Sequence, residues 1–325
     1  MIVVTGGAGH IGTNLALDLL ASSESVTIVD LRDPITARQH GARWINADVR
    51  DLSTMREAFD GAGTVYHLAA VISVVGGLGG RVESVNVLGS RVVADAARVV
   101  GVGRLVHCSS VHAYDIEAGA GQMIDEASPR SVRGALPAYD RSKAAGEDEV
   151  RRVIDRGLDA VMVNPTGVIG RVDEAPSRMG AVLRALWRRR MAAVVAGGFD
   201  WVDVVDVVAA LRAAAERGRT GENYLVAGHR RSMRDLAVMA AECSGVAVTR
   251  RAAPMWSARL CAPVATAIAR RTGNPLMPTT EALAAVASFP VINHAKATAE
   301  LGHAPRPIEA TIADLYGYFR ERGSL

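Results

Sequence analysis

The chain has 325 residues, enough for one large or two small domains, and its 37 basic against 34 acidic residues leave a net charge of only +3. That balance gives no electrostatic footprint for nucleic acid. Its three cysteines, Cys108, Cys243 and Cys261, are odd in number and far apart, which excludes a disulfide framework and a cysteine metal centre, and no run reaches the roughly 18 apolar residues of a membrane span.

Met1 to Thr5 is a short apolar, β-branched run that reads as a buried strand. Because it starts at the first methionine, no signal peptide is expected and the protein is placed in the cytoplasm. Gly6, Gly7, Gly9, His10, Ile11 and Gly12 then form a glycine turn, followed by a helix with apolar spacing at Leu15, Leu19 and Leu20. Strands are predicted at Val26–Asp30, Ala42–Ala47, Thr64–Leu68, Arg104–Ser109 and Ala160–Asn164. Helices are predicted at Leu52–Phe59, Arg81–Val100, Tyr139–Arg156 and Val204–Arg217. Such alternation predicts a doubly wound α/β fold with a parallel sheet.

Past Pro165 the aromatic and proline content rises, which suggests a smaller cap made of discontinuous pieces. Residues 1–170 and 203–227 are assigned to the nucleotide-binding domain, and residues 171–202 and 228–325 to the cap. Arg188 to Arg190 reads as a solvated helix end. Trp256 to Ala269 reads as a buried amphipathic helix, with peripheral membrane contact as the alternative. Glu117–Pro137 is the least regular stretch, a surface loop or a lid beside the substrate.

Two features carry chemistry. Strand, glycine turn and helix in that order let backbone N–H groups bind a pyrophosphate, and Asp30 ends the second strand at the spacing of a ribose-binding carboxylate. A carboxylate there favours NAD over NADP, while Arg32, two residues on, leaves NADP open. The second feature is the pair Tyr139 and Lys143, one helical turn apart on one face. The chain has only two lysines against 35 arginines, so a retained compact ammonium is informative. It is expected to stabilise the Tyr139 phenolate and lower its pKa from about 10, readying it for proton transfer.

These segments, together with Asp48-Val49, Leu68-Ala69-Ala70, Asn86 and Ser109-Ser110, resemble the extended short-chain dehydrogenase/reductases of the NAD-dependent epimerase/dehydratase family. Asn164-Pro165 and the closing Lys296 to Pro307 stretch resemble its dihydroflavonol-reductase-like and 3β-hydroxysteroid-dehydrogenase-like branch. The resemblance implies a Rossmann-type sheet with a C-terminal substrate cap. It implies Ser110, Tyr139 and Lys143 as the catalytic set, with Lys143 and Tyr139 also on the nicotinamide ribose. Asp48 and Val49 would meet the adenine, and Leu68, Ala69, Ala70, Asn86, Ser109 and Pro165 the nicotinamide half. No metal is expected.

Departures from that family narrow the substrate. Val111-His112 stands where dehydratases carry Asp-Glu, and Phe199 stands where nucleotide-sugar enzymes carry a phosphate-reading arginine. With Val71, Asn164, Met179 and Trp201 as further wall residues, and Trp187 as either wall or core, these point to a hydrophobic ketone or secondary alcohol. A sugar epimerase is the second reading, and a non-catalytic nucleotide-sensing scaffold the third. The expected partner is a small molecule, with a homodimer left open.

Overall fold

The computed structural model describes residues 1–116 and 123–325. Seven parallel strands form the main sheet, in the order Asn223–Val226, Ala160–Pro165, Arg104–Cys108, Thr64–His67, Ile2–Thr5, Val26–Asp30, Arg43–Asn46. Its inner strands are apolar at successive positions because helices cover both faces. Leu15 and Leu19 of helix His10–Ala21 pack on one face with Val207, Leu211 and Ala214 of helix Val204–Arg217. Met55 and Phe59, Val93 and Ala97, and Val150 and Val153 cover the other face from three further helices. The chain winds outward from Ile2–Thr5 to Arg43–Asn46, then restarts on the opposite side at Thr64–His67. That reversal opens a crevice at the carboxyl ends of the central strands.

The strands at Thr64–His67 and Arg104–Cys108 each stop one residue before the expected end. Leu68 and Ser109 still donate their amides to Thr5 and Val163 of the neighbouring strands and line the crevice. The predicted helix Arg81–Val100 is continuous but contains a π-helical turn at Ser84–Leu88, which carries Asn86.

A second, three-stranded sheet joins Gly167–Ile169, Gly198–Asp203 and His229–Ser232. Gly167–Ile169 was assigned to the nucleotide-binding half, yet its partner is Gly198–Asp203 of the cap, so the chain leaves the large sheet at Pro165. Trp187 lies in the cap core, its indole N–H bonded to the Ala240 carbonyl at 3.0 Å, and not on a substrate wall. Arg188, Arg189 and Arg190 are exposed past the end of helix Arg178–Trp187.

One expectation is reversed. Helix Met255–Thr272 buries Ala258, Ala262, Ala265 and Ala269 but leaves Trp256, Leu260, Val264 and Ile268 in solvent. Alanines allow the close approach to Leu283 and Val195 that larger side chains would block. Among the described residues no helix is long and apolar enough to cross a membrane. Of the Glu117–Pro137 stretch, 117–122 lie outside the described residues. The remainder is tied down, by pairing of Met123–Ile124 with Val291–Ile292 and by Arg130 bonded to the buried Glu147.

Candidate active site

The glycine turn is shaped by contacts that leave no room for side chains. A Cβ on Gly6 would lie 2.5 Å from the Ala69 nitrogen, and one on Gly12 would lie 2.3 Å from the Gly6 carbonyl oxygen. Gly6 also has φ +74°, a conformation glycine adopts without strain. Gly7 is set back against Ile28, where a Cβ would meet Cγ2 at 2.5 Å, and does not reach the cavity. Gly6, Gly9, His10, Ile11 and Gly12 do. His10 Nε2 lies 3.2 Å from the Gly170 carbonyl and 3.1 Å from that of Arg171, tying this turn to the chain that leads into the cap.

Asp30 accepts hydrogen bonds from the Ala8 amide at 3.0 Å and the Arg32 amide at 2.9 Å. The Arg32 guanidinium donates to the Ala8 carbonyl at 2.9 Å, so it lies on the glycine turn. Asp48 and Val49 line the same end of the cavity, and the hydrogen bond and charge of Arg50 hold the Asp48 carboxyl below its usual range. Leu68, Ala69, Ala70, Val71, Ser109 and Pro165 continue the wall. The Ser109 hydroxyl is buried without a hydrogen-bond partner among the described residues. Asn86 stands behind this wall: it donates to the Val71 carbonyl at 3.0 Å and accepts from the Val71 amide at 2.7 Å.

Ser110 and Tyr139 both face the cavity. The Ser110 oxygen accepts from the His112 amide at 3.2 Å. Lys143, one turn along helix Ala138–Ile154, is 5 % exposed and donates to the Cys108 carbonyl at 2.9 Å. Its expected lowering of the Tyr139 pKa does not occur. Burial dominates and pushes the phenol well above its usual value, while the nearby Ser110 hydroxyl only partly offsets this. Burial also holds the Lys143 ammonium below its ordinary pKa.

His112 gains a partner that the sequence did not show. Its Nδ1 is 3.2 Å from Asp140, its ring stacks on Phe199 with centroids 5.6 Å apart, and its edge approaches Tyr139 at 5.7 Å. Burial disfavours the imidazolium, but the charge of the nearby Asp140 carboxylate outweighs it and raises the pKa above the ordinary value.

The cavity measures about 1000 Å³, and of the residues expected to meet substrate, Val71, His112, Met179, Phe199 and Trp201 line it. Two others do not. Val111 is fully buried in the cap core, and Asn164 is fully buried with its amide bonded to the Ser110 carbonyl at 3.0 Å and to Glu147 at 2.7 Å. Asn164 therefore supports Ser110 from behind, because Asn223 and Glu147 use its remaining polar capacity. Sequence reasoning missed Arg178 and Glu281, which line the cavity from cap segments that carry no motif. Arg178 donates to the Met277 carbonyl at 2.8 Å and is paired with no carboxylate among the described residues. Asp140 was missed although it adjoins Tyr139, since its meeting with His112 is made only by the fold. Among the described residues no group of three or more His, Cys, Asp or Glu is arranged to hold a metal ion.

A profile described as the NAD dependent epimerase/dehydratase family matches residues 2–227. The chain is 33 % identical to sterol demethylase protein B of Methylococcus capsulatus, over 99 % of each chain. It is 28 % identical to a putative dihydroflavonol 4-reductase of Synechocystis, over 98 % of this chain and 94 % of that one. Among solved structures it is similar to gox2253, with a TM-score of 0.84 and 29 % identity over 100 % of this chain and 99 % of that one.

Proposed function

Because the chain belongs to the NAD dependent epimerase/dehydratase family, and is an NAD-dependent oxidoreductase, we propose that it interconverts a ketone and a secondary alcohol on an apolar, non-nucleotide substrate. The residues present fit NAD: the close-packed glycine turn makes an anion cradle at a helix start, and the unpartnered Ser109 hydroxyl lies on the wall of the opposite half. Gly6, Gly9 and Gly12 would hold the pyrophosphate, Asp30 the adenosine ribose, and Asp48-Val49 the adenine. Leu68 to Ala70 and Pro165 would flank the nicotinamide, whose chemistry is hydride transfer. Lys143 and Tyr139 would bind its ribose.

Ser110 donates a hydrogen bond to the substrate carbonyl and orients it. Tyr139 delivers the proton to the same oxygen as the carbon is reduced, and removes it in the reverse direction. Burial raises the Tyr139 pKa, so the phenol holds its proton at neutral pH until the substrate oxygen takes it. Asn164 holds the Ser110 backbone, and Asn86 holds the Val71 segment over the reacting centre.

One observation carries the substrate assignment: the Ser110–Tyr139 pair opens onto a cavity walled by Met179, Phe199 and Trp201, with Phe199 at the phosphate-reading position. A 33 %-identical relative named for sterol demethylation supports an apolar, ring-bearing substrate. NADH consumption should be screened against steroid-like and other apolar ketones. With an accepted ketone, Tyr139→Phe should bind NADH and lose turnover by roughly 10² to 10⁴. Near-normal turnover in that variant would refute the acid/base role.

Arg178 favours a second reading. An arginine without a carboxylate partner, in the cap wall, could take a phosphate and restore a nucleotide-sugar epimerase. Calorimetry separates the two: micromolar UDP-sugar binding lost in Arg178→Ala supports the epimerase, and no binding supports the ketoreductase.

A further inference from the structure

Helix Met255–Thr272 is apolar on the side that faces water. Trp256, Leu260, Val264 and Ile268 are 68, 73, 66 and 41 % exposed, and they recur every fourth residue. At 1.5 Å per residue they make one strip about 18 Å long. A single exposed leucine needs no explanation, but a continuous strip marks a contact surface.

Charge selects what that surface meets. From Glu242 to Glu281 the sequence between them contains no acidic residue, while Arg250, Arg251, Arg259, Arg270 and Arg271 are all exposed. A second copy of the chain would bring the same five cations against these. An anionic bilayer instead offers acyl chains for the strip and phosphates for the guanidinium groups. We propose that this helix docks the protein on an anionic membrane surface, lying in its plane.

The docked face adjoins the cavity. Arg270 Nε donates to the Val75 carbonyl at 3.0 Å, and the Gly76 amide donates to Glu281 at 3.2 Å. That loop also presents Ile72, which is 72 % exposed and lines the cavity, as do Pro275 to Pro278 after the helix. Docking would thus bring the cavity entrance to the lipid. The docking rests on exposure and charge alone; entry of a lipid-dissolved substrate rests in addition on the apolar-substrate reading above.

The test uses the full chain with phosphatidylcholine vesicles, with and without phosphatidylglycerol, and no substrate or NADH. Cosedimentation is expected only with phosphatidylglycerol, and should weaken as salt rises. Leu260→Glu/Val264→Glu changes two exposed positions, so its Tm should be unaltered while binding falls roughly tenfold or more. Trp256→Phe should abolish a vesicle-induced blue shift in fluorescence. Absence of sedimentation with either vesicle, or equal binding by the double variant, overturns the proposal. So does a concentration-dependent dimer that the double variant abolishes, which would assign the strip to self-association. Because neither arm reads hydride transfer, failure here leaves the ketoreductase reading untouched, and failure of that reading leaves docking untouched.

Discussion

Asp30 is aimed by two backbone amides, and the neighbouring Arg32 is committed to the Ala8 carbonyl. A 2′-phosphate placed there would meet a fixed carboxylate. NADH should therefore bind more tightly than NADPH, and Asp30→Ala should narrow the gap. A titration giving tenfold tighter NADPH binding to the unaltered chain, about 1.4 kcal/mol the other way, would refute this. Residues of this kind were legible because their spacing is local: the glycines, Asp30, Ser110, Tyr139 and Lys143 each sit in a short motif. The proton affinity of Tyr139 was not legible. Spacing placed Lys143 on its face, but the ammonium is directed at the Cys108 carbonyl, and burial decides the phenol.

Elements were legible where the apolar pattern was long and bounded. Leu52–Phe59 and Val204–Arg217 have the expected bounds, and the main strands differ by a residue or so at their ends. What pattern could not give was how elements brace one another. Asn164, expected from the sequence on the substrate wall, has a side chain that links three elements instead. It bonds the Ser110 carbonyl, the Glu147 carboxylate and Asn223 at 3.0, 2.7 and 2.8 Å. Glu147 is fully buried, and its charge also has Arg130 and Arg151 beside it. Asn164→Leu removes a donor from that carboxylate without freeing it to water, which should cost about 2–4 kcal/mol of stability. Urea unfolding measures this directly; a loss under about 0.5 kcal/mol would show that the network relaxes around the gap. Turnover should fall as well, since the Ser110 backbone loses its support.

At the scale of the whole molecule, His112 lies where the two halves meet. Its ring is stacked on Phe199 of the cap, and its Nδ1 faces Asp140 at the start of the helix that carries Tyr139. No sequence pattern places residue 112 between residues 140 and 199; only the closed fold does. Burial alone would keep this imidazole neutral, and the Asp140 carboxylate reverses the sign, so the folded pKa stands above the ordinary value. A group whose folded pKa is raised adds stability that is complete below its unfolded pKa, about 6.5, and is lost as pH rises through the folded value. Comparing the unaltered chain with Asp140→Asn isolates that contribution. The Tm difference should be largest near pH 6 and shrink as the pH is raised past the folded pKa of His112. A remainder independent of pH is expected from the carboxylate at the helix start. A difference that is flat across this range, or that grows toward alkaline pH, would show that His112 and Asp140 do not form a charged pair. The same titration monitored by turnover distinguishes proton donation from positioning: if His112 also supplies protons, activity should follow its protonated fraction in the unaltered chain and lose that dependence in His112→Gln.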